Sequence, residues 1–148
     1  MPDLAAPLSV SNLVLRSKQL EIDAVRHLAS RAELVDVIGQ LIQGLQRERG
    51  ASGAFLASKA KRFADMRLRV VEEVGPLEAR LREVFAQHIE PAQGATAKAL
   101  SLMAWALLGM ESLPALRTQI ERQAMSANDS VAAYSHLIAG LIELVFHV

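Results

Sequence analysis

The chain reads as an all-α protein, an antiparallel up-down bundle of about five helices. Three observations predict that class. Its 148 residues are enough for one domain with a core of its own. Of these, 51% are hydrophobic, yet aromatics make up only 4% and there are just 8 glycines and 5 prolines, so Ala, Leu and Val must build the interior. Along most of the chain the apolar positions recur three and four residues apart, the period of a helix with one buried face.

Residues 1–8 are expected to form a flexible lead-in. Pro2 and Pro7, with Asp3 between them and no basic stretch ahead of an apolar run, do not make a signal peptide. Over 9–30, Val10, Leu13, Val14, Leu20, Ala24 and Leu28 fall at helical spacing, while Lys18, Glu21, Asp23 and Arg26 lie largely off that face. This predicts a first amphipathic helix. Ser30, with Glu33 three residues later, has the spacing of a capping box and predicts that a second helix starts there and runs to 58. The basic cluster Lys59, Lys61 and Arg62 then complements its C-terminal dipole in a solvated turn.

A third helix is predicted to carry Phe63, Met66, Val70, Val74, Leu77, Leu81 and Val84 inward. Its other face pairs Arg69 with Glu73 and Glu78 with Arg82 at a spacing of four, as a solvated, helix-supporting surface. Gly75-Pro76 should kink or split it. Pro91, Gln93 and Gly94 mark a turn. The fourth helix, 95–122, begins apolar on more than one face with Leu100, Leu102, Met103, Trp105, Leu107, Leu108 and Met110, so a second bundle or a partner chain is expected to cover it. Pro114 should bend it. Ser126, Asn128, Asp129 and Ser130 form a loop with a helix cap. The last helix turns Val131, Tyr134, Leu137, Ile138, Leu141, Ile142 and Val145 inward and finishes on hydrophobic residues without a capping residue, as if meant to continue.

Composition also narrows function. A formal net charge of zero argues against a broad basic surface for nucleic acid. Without cysteine there is no disulfide, thiolate catalysis or cysteine metal site, which suits a reducing cytoplasm, the expected location. No apolar run reaches the roughly 20 residues of a membrane-spanning helix; the nearest, 99–110, is followed by Glu111. A soluble chain with no membrane partner is expected. His27, His88, His136 and His147 share no metal-ligand spacing on one helix face, so no metal or cofactor is predicted. There is no glycine-rich phosphate loop, nucleophile elbow or buried pair of acids, and the chain is not expected to be an enzyme.

One residue stands out on the second helix. Leu34, Ile38, Leu41, Ile42, Leu45, Ser52 and Leu56 share a face, and Arg49 falls inside that stripe while Arg47 points the opposite way. The neighbours of Arg49 three and four residues along are Leu45, Gln46, Ser52 and Gly53, with no carboxylate among them. A buried cation needs compensation. An acid on another helix, a ring of carbonyls or a bound anion would serve, and so would a core-edge arginine that snorkels to water. Gly39, Gly44, Gly50 and Gly53 predict close approach to this helix by another helix or by a ligand.

The run Leu45-Gln46-Arg47-Glu48-Arg49-Gly50-Ala51-Ser52 resembles the LQ-x-ERG-x-S signature of the nitrate- and nitrite-sensing domain family, found in bacterial nitrate-responsive transcription antiterminators. The Pro91 break, the apolar helix around Trp105 and the closing run from Tyr134 through Ile142 follow the order of elements in the N-terminal half of that domain. The resemblance implies an all-helical sensor in which Arg49 holds nitrate or nitrite. Residues 1–148 would then be a single helical sensor-like domain. A guanidinium is a planar fork of donors that meets two oxygens of a flat monoanion at once, and Ser52, one turn along, would add a hydroxyl or else bond back to its own helix.

The sequence also departs from the family. The family's domain is about twice as long, with a second helical bundle that brings another arginine to the ligand, and this chain stops before both that half and the RNA-binding output module. It is therefore expected to be half of a two-bundle sensor, or to complete itself as a homo-oligomer. Two readings follow: a sensor that transmits anion binding by repacking its helices, or a helical interaction and dimerisation module in which Arg49 belongs to a register-fixing salt bridge.

Overall fold

The first helix dominates the architecture. In a computed structural model that describes residues 8–90 and 94–148, α1 runs unbroken over Val10–Ala57, followed by α2 (Ala64–Ala86), α3 (Ala97–Glu121) and α4 (Ala127–Val145). The class is all-α, as predicted, but the described residues form four helices where about five were expected. The difference lies at Ser30. The predicted capping box does not form, because the backbone there stays helical, and no proline or glycine interrupts it. The effective N-cap is Ser9, whose side chain accepts from the Asn12 amide at 3.1 Å.

Neither internal proline divides its helix: Pro76 lies inside α2 and Pro114 inside α3. The turn predicted at Pro91 and Gln93 lies outside the described residues. After 57 the chain reverses through Lys59, Ala60 and Phe63, all at positive φ. Phe63 is the N-terminal flank of α2, and this setting moves the start of the inward stripe by one residue. Phe63 and Met66 are exposed, and Arg67, not Met66, turns in.

The helices pack as an up-down bundle in which α1 lies between α2 and α4, and α3 leans chiefly on α4. The core is one cluster drawn from all four, with Leu41, Leu45, Val74, Leu81, Leu113, Ile120, Tyr134 and Leu141 sealed from solvent. Gly44 is the one of the four α1 glycines that a tight helix contact requires, since a Cβ there would stand 3.1 Å from both Leu77 Cδ1 and Val74 Cγ2. Gly39 and Gly50 face open space, and Gly53 meets only ordinary contact. The close approach expected along the whole second helix is therefore confined to one point.

α3 begins apolar on more than one face, as its sequence predicts, and at 25 residues it is by length and composition long enough to cross a membrane. That amends the expectation that no segment qualifies. Leu102, Met103, Met110, Leu113 and Ile120 nonetheless sit in the bundle core, while Trp105 on the outer face is 66% exposed.

Candidate functional site

The buried polar stripe of α1 is one residue away from where the sequence places it. Glu48, not Arg49, is sealed in the core at 0% exposure, and Arg49 lies half-buried at the edge. The reason is the alternation of three and four that carries Leu34, Ile38, Leu41 and Leu45 inward. The next steps fall on Glu48 and Ser52, and Arg49 follows Ile42 on the partly buried flank.

A carboxylate so deep must be fully compensated, and each of the other helices contributes to that. Arg117 of α3 grips Glu48 with two donors, Nε at 3.1 Å and Nη2 at 2.8 Å. The Tyr134 hydroxyl of α4 donates to Glu48 Oε2 in a short hydrogen bond. From α2, Glu78 approaches Arg117 at 3.6 Å, although its buried Oε1 accepts no hydrogen bond. Arg67, also on α2, donates to the Arg117 carbonyl at 3.0 Å and lies over the Phe55 ring at 5.5 Å.

The electrostatics follow from that geometry. Burial, reinforced by the Glu48 charge, pushes the Tyr134 phenol well above its ordinary range, so it stays a donor. Burial also raises the Glu78 carboxyl, more than Arg117 lowers it. Burial by itself would lower Arg117, but the hydrogen bond and charge of Glu48 outweigh it and hold it above its usual value.

Arg49 sits one residue beyond this node, in a different setting. Its Nη1 donates to Ser135 Oγ of α4 at 3.1 Å, and among the described residues no carboxylate pairs with it. Two neighbouring rungs thus join α1 to α4, Glu48 to Tyr134 and Arg49 to Ser135. Ser52 is placed in the interior at 0% exposure, with its hydroxyl 3.4 Å from that of Tyr134. Arg47 is exposed and pairs with Glu73 of α2 at 3.7 Å.

Sequence reasoning missed Glu48, Glu78, Arg117, Tyr134 and Ser135 as one constellation. The signal for Glu48 was present, since it lies three residues after Leu45 and seven after Leu41. Its partners come from remote segments and carry no local mark. Of the histidines, His88 is a structural clasp. It is 3% exposed, with Nδ1 2.7 Å from the Val84 carbonyl and Nε2 3.1 Å from that of Ser30. No group of three or more potential metal ligands occurs among the described residues.

Comparison with known proteins bears on this region directly. The family described as nitrate and nitrite sensing matches residues 40–148. A nitrate regulatory protein of Klebsiella oxytoca is 28% identical over 131 residues, which are 88% of this chain and 32% of that protein. The solved structure of the NasR transcription antiterminator superposes with a TM-score of 0.77 at 26% identity, over 92% of this chain and 36% of the other. The chain therefore spans about a third of the length of these relatives. Because the matched span takes in the motif from Leu45 to Ser52 and every side chain of the node around Glu48, the chain belongs to the nitrate and nitrite sensing family.

Proposed function

We propose that the chain is the anion-sensing bundle of a transcription regulator and that Arg49 is its ligand-holding residue, with nitrate or nitrite as the ligand. The observation that carries this reading is the state of Arg49: a half-buried guanidinium in the family's motif whose partner is a neutral hydroxyl. A planar monoanion supplies the missing charge and accepts two parallel N–H donors from one guanidinium. Ser135 is the second donor to that anion. Ser52 acts indirectly, by holding the Tyr134 ring from the interior.

Transmission then requires only that the ligand prefer one packing over another. An anion drawn between Arg49 and Ser135 alters the spacing of α1 and α4 at that rung. The next rung, Glu48 to Tyr134, is tied through Arg117 and Glu78 to the other two helices. A shift at the edge thereby becomes a repacking of the bundle.

The second reading, a helical interaction module, also has an observation in its favour. In that reading the Glu48–Arg117 ion pair fixes the register of the helices, and Arg49, bonded to Ser135, takes no part in it. Isothermal titration with nitrate, against chloride as control, decides between them. Saturable binding that Arg49→Ala abolishes and Arg49→Lys weakens is the expected result. Equal heats for the folded wild type and Arg49→Ala would favour the module.

A further inference from the structure

Ahead of Ser30, α1 leaves the bundle. Every residue from 10 to 29 is exposed except half-buried Asp23, and Leu13, Leu15, Leu20 and Leu28 are 56, 68, 58 and 67% exposed. Helices in proteins draw most of their stability from packing an apolar face, and large apolar side chains on this stretch need a covering surface.

The pattern of those side chains specifies the cover. The α1 stripe that the bundle buries, Leu34, Ile38, Leu41, Leu45, Glu48 and Ser52, alternates steps of four and three. Continued toward the N-terminus, the same seam passes through exposed Arg31 at the mouth of the bundle and then His27, Ala24, Leu20, Ser17, Leu13 and Val10. A shallow groove already follows it, lined by Leu13, Arg16, Ser17, Leu20, Glu21 and Ala24.

We propose that this seam is an interface with a second copy of the chain, whose own free segment lies antiparallel along it about a two-fold axis between Ser17 and Leu20. Three independent features select that partner and that direction. The first is size. Antiparallel layers set Ser17 against the partner's Leu20 and Ala24 against the partner's Leu13, small facing large. A parallel pair would stack serine on serine and alanine on alanine, leaving voids between the leucine layers.

The second is charge. The positions flanking the antiparallel seam bring Arg16 beside the partner's Asp23, twice by symmetry. Arg16 makes no ion pair within the described residues. Asp23 accepts only from the neutral Gln19 side chain, at 3.0 Å.

The third is space. From Leu34 onward the same face of α1 is occupied by α2 and α4, and His88 closes that end against Ser30. A parallel partner would run into this end of the bundle. The helix of an antiparallel one stops short of it, because its cap Ser9 then faces the partner's Leu28 and the paired helices span the free segment, about 30 Å, from end to end. With about three heptads the seam is near the minimum a coiled coil sustains, so the dimer is concentration-dependent.

The chain has no cysteine, so introduced ones report without background. Leu13→Cys and Ala24→Cys variants of the full chain are oxidised separately and as a mixture, alongside sedimentation of the wild type over a dilution series. The expected result is a reversible dimer in sedimentation and a covalent dimer in the mixture only. Arg16→Asp should weaken association about tenfold, and adding Asp23→Arg should restore it, with helicity unchanged throughout. Covalent dimers from each variant alone would indicate a parallel pair. A monomer at every concentration would assign the face to another segment or partner. Either outcome overturns the proposal.

Discussion

Glu48 and Arg49 are adjacent in the chain and opposite in situation. The carboxylate is sealed and held by Arg117 and Tyr134, while the guanidinium is half-buried and held by Ser135. Removing one member of a buried ion pair leaves the other uncompensated. Arg117→Met should therefore cost about 3–5 kcal/mol of stability in urea unfolding. Combining it with Glu48→Leu should cost much less than the sum of the two single changes, which a double-mutant cycle measures. Tyr134→Phe, which removes only the donor, should cost about 1–3 kcal/mol.

Glu78 adds a pH dependence. Its carboxyl binds a proton more tightly folded than unfolded, so the stability it contributes is whole below the ordinary value of 4.5 and is lost as pH rises through the raised one. Denaturant midpoints followed from acid toward neutral pH should decline through that window in the wild type, and the decline should be smaller in Glu78→Gln.

At the level of elements, helical periodicity was enough to place α2, α3 and α4; of the four residues expected to form a capped loop, Ser126 is the cap, accepting from the Asp129 amide at 3.1 Å, while Asn128, Asp129 and Ser130 already lie in α4. It failed where a signal has two meanings. Ser30 and Glu33 have the spacing of a cap, yet Glu33 is engaged by Arg80 of α2, a tertiary pairing that local pattern cannot reveal. Arg67 is charged, but the Phe55 ring and the Arg117 carbonyl make an interior place for it. The α1 glycines give a test of the same kind. Gly50→Ala, facing open space, should raise stability by about 1 kcal/mol. Gly44→Ala should gain less, because its Cβ would press on Leu77 and Val74. Thermal melts should rise more for Gly50→Ala than for Gly44→Ala.

For the whole molecule, the motif around Arg49 was legible and carried the family, whereas the node built on Glu48 was not, because its members meet only when all four helices are in place. If Arg49 holds an anion in the folded state alone, nitrate must raise the melting temperature in proportion to the logarithm of its concentration above Kd, and Arg49→Ala must abolish the rise. A dye-monitored melt across a nitrate series, with chloride at matched ionic strength, checks this.

The unbroken length of α1 has a mechanical consequence. Arg49 lies near one end of a rod whose other end, Val10, is about 58 Å away. A tilt of about 5° at the Arg49 end would sweep the far end through about 5 Å, comparable to one helical turn of 5.4 Å. On the proposed reading the helix is a pointer, which would turn a small adjustment between the Arg49 guanidinium and Ser135 into a displacement of several ångströms at Val10.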